Sequence, residues 1–220
     1  MDPTTPNVQA LSDRPPIDQL SCEAIRARLR ARGCRAEPFA EPDSPSPRHP
    51  LRRAAVLLPL YHHEGAWHLI FIRRAEHQQD RHSGEVGFPG GRWQAADPSC
   101  TATALREAEE EIGLPRSQVD LLGELRPLRT LSHFLVTPVV GCVPWPQALK
   151  PEPREVARIF SIPLAWLVRP DRHRLLTYPT PDHPEARELV FFDEFDGERL
   201  WGVSARMTLD LIACLARARG

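Results

Sequence analysis

The sequence predicts one α/β or α+β domain behind an N-terminal tail, and three observations carry that reading. Short apolar runs of strand length recur from residue 52 onward, segments of helical periodicity separate them, and proline crowds a stretch just before they begin. The chain has 220 residues, 41% hydrophobic and 26% charged, enough for one sizeable core. Residues 1–50 therefore read as tail, short helix and proline-rich linker, and 51–220 as the folded domain.

Residues 1–16 are polar and proline-bearing, and "PFAEPDSPSPRHP" (38–50) holds five prolines in thirteen residues. So many missing amide donors exclude a helix or a central strand. Between them "SCEAIRARLRARG" sets Ile25 and Leu29 at helical spacing, with Ser21 to cap the helix and Gly33 to stop it. Its arginines read as a solvated face. Strands are expected at "AAVLLPLY" (54–61), "WHLIFIRR" (67–74), "VDLLGEL" (119–125), "LVTPVVGCV" (135–143) and "LVFFDEF" (189–195). "REVARIFSIPLAWL" reads as a helix broken at Pro163. The Asp196-Gly197 turn joins two strands, and Ser204 caps a last amphipathic helix built on Met207, Leu211 and Leu215.

Bulk charge narrows the partners. A net charge of -1 and a pI near 6.8 leave no global field to draw the protein to nucleic acid or an anionic membrane, so anion binding must be local. Five cysteines, odd in number and without a C-x-x-C pair, speak against disulfides and zinc and for a reducing, cytoplasmic compartment. No run of 18 apolar residues and no signal-peptide pattern is present. A small-molecule substrate is the expected partner, and a homodimer is compatible with the sequence.

The chemistry concentrates in "ALREAEEEIGL" (104–114). Asp97-Pro98 reads as a helix start, with Asp97 as N-cap, and Gly113 followed by Pro115 as its stop. At roughly 100° per residue, Leu105, Ala108 and Ile112 form a stripe for the core, while Glu107, Glu110 and Glu111 share a separate arc. That arc breaks several local rules. Like charges stand at i+3 and i+4, acids in the last turn oppose the helix dipole, and no base follows four residues later. Only Arg106 is near. A hard divalent cation, Mg2+ or Mn2+, would resolve the conflict, because it takes oxygen ligands and keeps waters or phosphate oxygens in the rest of its shell. In front lies "HSGEVGFPGGRW" (82–93), where Gly90 and Gly91 permit close backbone approach to a ligand. Arg73, Arg74, Arg81, His82 and Arg92 could supply positive charge for a pyrophosphate.

These residues resemble the Nudix hydrolases. Arg106 through Leu114 match the second half of that family's signature without a gap, and Gly91 matches its leading glycine. Five residues separate Gly91 from Asp97, and eight residues, where the signature has seven, separate Asp97 from Arg106. This departure looks like the coenzyme A diphosphatase branch. His82, Gly84, Phe88, Pro89, Gly90 and Gly91 fit that branch's upstream motif, although Ile72 replaces its usual threonine and the spacing from Arg74 to Gly84 is one residue longer. The likeness extends over about residues 52–216.

The resemblance implies a Nudix-type α/β/α sandwich around a mixed β-sheet. It also implies metal-dependent cleavage of coenzyme A or an acyl derivative to 3′,5′-ADP and 4′-phosphopantetheine. Glu107, Glu110 and Glu111 would hold the ion, Arg106 would orient the helix carboxylates, and Arg74, His82, Gly90 and Gly91 would meet substrate. Glu111 would be the proton acceptor, with Glu155 behind it; Asp97 is a further candidate at the site. ADP-ribose, NADH or a dinucleoside polyphosphate is the alternative substrate, and a non-catalytic nucleotide-binding module the alternative role.

Overall fold

The structure, a computed structural model, describes residues 17–31, 51–76, 84–180 and 183–216. Residues 1–16, the 38–50 linker, Gly33, Arg81 and His82 lie outside the described residues.

The organising strand is β1 (Arg52–His63). Along one edge it runs parallel to β7 (Phe134–Cys142), from Arg52 opposite Phe134 to Leu60 opposite Cys142. Along the other, its first half meets β4 (Gly90–Arg92) and its end meets β2 (Ala66–Arg74), both antiparallel. β2 is flanked in turn by β8 (Val156–Pro163) and by β3 (Val86–Gly87). β5 (Asp120–Glu124) and β6 (Leu128–Arg129) pair with β7.

Successive side chains point to opposite faces, so this mixed sheet fills two cores. Leu58, Leu60, Leu69, Phe71 and Val140 face one side, where α1 (Cys22–Arg30) and α4 (Gly202–Ala216) contribute Ile25, Leu29, Met207, Leu211 and Leu215. Ala55, Leu57, Ile70, Ile72 and Val139 face the other, where α2 (Cys100–Ile112) contributes Ala104, Ala108 and Ile112. Burial on both faces explains why the strands read as continuous apolar runs. The architecture is the expected α/β/α sandwich around a mixed sheet. A separate hairpin, β9 (His173–Thr180) with β10 (His183–Phe192), stands beside it.

Several elements differ from expectation. Residues 156–163 form strand β8 rather than a helix, because Phe160 and Ile162 reach one core while Val156 and Ile159 reach the other, and the whole segment ladders onto β2. Pro163 ends it, and only a single turn, α3 (Leu164–Leu167), is helical. α2 begins at Cys100 with Ser99 as its N-cap, whose hydroxyl accepts the Ala102 N–H at 3.1 Å. Asp97 is instead drawn into an ion pair. Asp196 and Gly197 do form a tight turn at φ 52° and 78°, but Phe195 and Glu198 close it as an isolated bridge rather than two strands. α4 starts at Gly202, placing Ser204 inside its first turn. Ile25 is fully buried, so α1 packs into the core of the domain that follows.

Cys214 on α4 is disulfide-bonded, contrary to the expectation of no disulfides, whereas Cys22, Cys100 and Cys142 are free thiols. Cysteine parity and spacing do not decide whether a given thiol is bonded.

Candidate active site

Two segments make the site: the glycine loop and the helix that follows it. Leu57 donates its N–H to Pro89 O at 2.8 Å, and β4 then runs along β1. A Cβ on Gly90 would lie 2.5 Å from Ala55 O and 2.6 Å from Val56 Cα, so only glycine lets the loop lie this close to the strand. A Cβ on Gly91 would lie 2.5 Å from the Glu107 carboxyl carbon. The helix ends where Gly113 turns left-handed at φ 65° and returns its N–H to the carbonyls of Ala108 and Glu109.

Loop and helix are joined through Glu111, whose carboxylate accepts the Gly90 N–H at 2.9 Å. Glu111 is only 2% exposed. Burial pushes its carboxyl up to about 8; the charges of Glu107 and Glu155 add to that, while the Gly90 N–H and the Arg74 charge oppose it. Burial also raises Glu107, against the pull of Arg106.

Arg106 is the hub. Its Nε and Nη2 reach the two Asp97 oxygens at 3.0 Å each, Nη2 also donates to Arg92 O, and Nη1 reaches Glu107 at 2.8 Å and Glu110 at 3.0 Å. Hydrogen bonding to Asp97, with help from Glu107, holds the guanidinium charged, and Arg106 in turn holds Asp97 well below the usual carboxylate range. Thr103 and the Gln94 N–H complete the acceptance around Asp97.

The structure thus brings together Gly90, Gly91, Arg106, Glu107 and Glu111, with Arg74 and Glu155 near enough for their charges to act on Glu111. Glu110 sits at the exposed rim, held by Arg106. Glu109 leaves the group for Arg116 at 2.7 Å. Sequence reasoning missed the Thr103 contact to Asp97, although a buried threonine among the core positions of a helix is a signal that a polar partner lies behind it.

It also missed Arg52 and Arg53, which join the expected Arg92 in a cationic margin. The Arg52 guanidinium lies 4.1 Å and that of Arg92 5.3 Å from the centre of the Phe134 ring, and Arg53 lies 5.1 Å from that of Trp93. Among the described residues, none of these three arginines pairs with a carboxylate.

Among the described residues no three His, Cys, Asp or Glu side chains converge closely enough to hold a metal ion as they stand. The donor chemistry nevertheless suits a hard divalent cation. Glu107 and Glu111 are neighbouring carboxylates held in a low-dielectric setting, with Arg106 on Glu107 and the Arg74 charge acting on Glu111, and such an ion needs few protein oxygens when phosphate and water complete its shell. No helix among the described residues is long and apolar enough to cross a membrane.

Comparison with known proteins places this geometry. The profile of the NUDIX domain matches residues 50–189. The uncharacterized Nudix hydrolase NudL of Yersinia pestis (strain Pestoides F) is 39% identical over 155 residues, spanning 70% of this chain and 75% of that protein. NudL of Yersinia pseudotuberculosis serotype O:1b (strain IP 31758) is similar to the same extent. Among solved structures, a Nudix hydrolase from M. smegmatis, RenU, is 22% identical, covers 51% of this chain and 70% of its own, and has a TM-score of 0.45. A MutT/nudix family protein from Enterococcus faecalis is 16% identical, covers 80% of this chain and 63% of its own, and has a TM-score of 0.48.

Proposed function

The chain belongs to the Nudix hydrolase family, and on that premise we propose that it cleaves the pyrophosphate of coenzyme A or an acyl-coenzyme A in the cytoplasm, releasing 3′,5′-ADP and 4′-phosphopantetheine or its acyl form. The observation that carries the reading is the pair of half-buried Glu107 and buried Glu111 pressed against Gly91 and Gly90. Two partly desolvated carboxylates whose proton affinity stays raised despite Arg106 and Arg74 suit a divalent cation and the phosphates it brings.

Glu107 and Glu111 would hold Mg2+ or Mn2+, with Glu110 joining them if it turns from Arg106. When bound, such an ion neutralises phosphate charge and acidifies water. The chain's own residues then do the rest. Arg106, locked by Asp97, fixes the position of the Glu107 carboxylate. The Gly90 N–H aims Glu111, the first candidate to take a proton as water attacks phosphorus and the phosphoanhydride bridge breaks. Glu155, whose charge acts on both glutamates, is the second candidate acceptor. Arg74, and His82 from the preceding loop, would meet substrate phosphate.

Coenzyme A is favoured over ADP-ribose, NADH or a dinucleoside polyphosphate by the likeness of the 82–91 loop. Arg52, Arg53 and Arg92 also suit a substrate carrying more charge than a pyrophosphate alone. The test incubates the protein with coenzyme A, NADH and ADP-ribose, with and without Mg2+ or Mn2+, and identifies products by mass. Metal-dependent release of 3′,5′-ADP, reduced about 10²- to 10⁴-fold in Glu111→Gln, is expected. A preference for NADH or ADP-ribose would move the protein to the other substrate class, and nucleotide binding without cleavage of any of them would make it a non-catalytic module.

A further inference from the structure

We propose that Cys22 and Cys142 form a disulfide when the protein meets a hydroperoxide, fastening the N-terminal helix to the end of the central sheet. The two sulfurs are 3.0 Å apart although 120 positions separate them in the chain. Cys22 is the first residue of α1 and Cys142 the last of β7, so the bond would join the helix to the strand.

The surroundings hold the thiols in register. Asp18 accepts the Trp67 N–H at 2.9 Å, and the Trp67 indole donates to Leu20 O at 2.8 Å, docking the segment before α1 onto β2. Arg26, one turn further along α1, reaches Asp120 at 2.6 Å, and Asp120 is the strand partner of Cys142. Access is open as well. Both cysteines are only partly buried, and both line a cleft of about 470 Å³ together with Asp18, His62, Trp67 and Trp145. The acidic and imidazole groups of that cleft do not converge with the thiols as a metal site.

The chemistry balances with the hydroperoxide as sole oxidant. The Cys22 sulfur attacks the terminal peroxide oxygen, the O–O bond breaks, and the alcohol leaves, giving a sulfenic acid on Cys22. The Cys142 sulfur then displaces its hydroxyl, which departs as water with the Cys142 proton, and the S–S bond forms. Two thiols lose two electrons and one peroxide gains them. Cys22 opens α1, where the helix N-terminus favours a thiolate, and burial raises the Cys142 thiol, so the first attack falls to Cys22 and the resolving step to Cys142.

The test treats the reduced full-length chain with stoichiometric hydrogen peroxide, alkylates the remaining thiols, and maps unreduced peptides by mass spectrometry. A peptide pair joining Cys22 to Cys142, two hydrogens lighter than its parts and released by reductant, is expected from monomeric protein, with Cys100 outside the pair. The oxidised protein should also melt at a higher temperature than the reduced one, and the difference should be smaller in Cys22→Ser, which keeps only the Cys214 bond. Full alkylation of Cys22 and Cys142 after peroxide, or cross-links between molecules in place of this pair, would overturn the proposal. Cys142→Ser, and the mapping of wild-type protein alone, keep the test decisive if Cys22→Ser does not fold.

Discussion

Asp97 grips Arg106 with both carboxylate oxygens, each 3.0 Å from a different guanidinium nitrogen, and both side chains are nearly closed off from solvent at 6% and 11% exposure. Removing Asp97 takes away the fork and leaves Arg106 with Glu107 and Glu110. Asp97→Ala is therefore expected to lower stability by about 1.5–3 kcal/mol in urea unfolding. A loss under 1 kcal/mol would show that the fork does not hold the loop to the helix.

The two loop glycines predict different failures. Gly91→Ala drives a methyl into the Glu107 carboxylate, a flexible group, so the fold should survive while hydrolysis and Mn2+ affinity both fall at least about tenfold. Gly90→Ala drives a methyl into the backbone of Ala55 and Val56, which cannot yield, so it should cost about 1–3 kcal/mol of stability. Calorimetric Mn2+ titration beside thermal melting separates the two. Equal melting temperatures for both variants would contradict the assignment.

Glu111 predicts a pH dependence in metal-free protein. Its carboxyl titrates near 4.5 when the chain is unfolded and near 8 when folded, so the unfolded state ionises first as pH rises. Stability should fall from pH 4.5 toward pH 8 and then level off, and Glu111→Gln should remove that part of the slope. Over the same interval an ion must displace the proton, so apparent metal affinity should climb by up to about tenfold per pH unit. A flat stability profile in the wild type would place Glu111 in a wetter site than its 2% exposure indicates.

α1 predicts where the domain begins. Ile25 is fully buried and Leu29 lies against Gly123 on β5. Ile25→Ala should cost about 2–5 kcal/mol, and a chain starting at residue 51 should melt well below the full chain. An unchanged melting temperature for the shortened chain would return α1 to the tail.

The central strands were legible because each is buried on both faces and so appears as an uninterrupted apolar word. β3, β4 and β6 were not, since two or three residues carry no period and owe their pairing to the longer strand beside them. At 154–167 the pattern Val156, Phe160, Ile162, Leu164 fits a helix as readily as a strand, and only the open edge of β2 decides between them. The carboxylate arc of α2 followed from helical geometry alone. Its division into a buried Glu111 and an exposed Glu110 did not, because that depends on which side the loop closes. Likewise Asp97 satisfied the local rules for a cap, but an arginine nine residues away engages its carboxylate and Ser99 caps the helix.

The parallel ladder between β1 and β7 has a further consequence. Its two halves lie more than a third of the chain apart, so during synthesis the first strand of the core emerges from the ribosome long before its partner exists. An unpaired apolar edge waits in that interval, exposed to other nascent chains. Production of this protein should thus be limited by chaperone supply and growth temperature more than by the endurance of the finished fold.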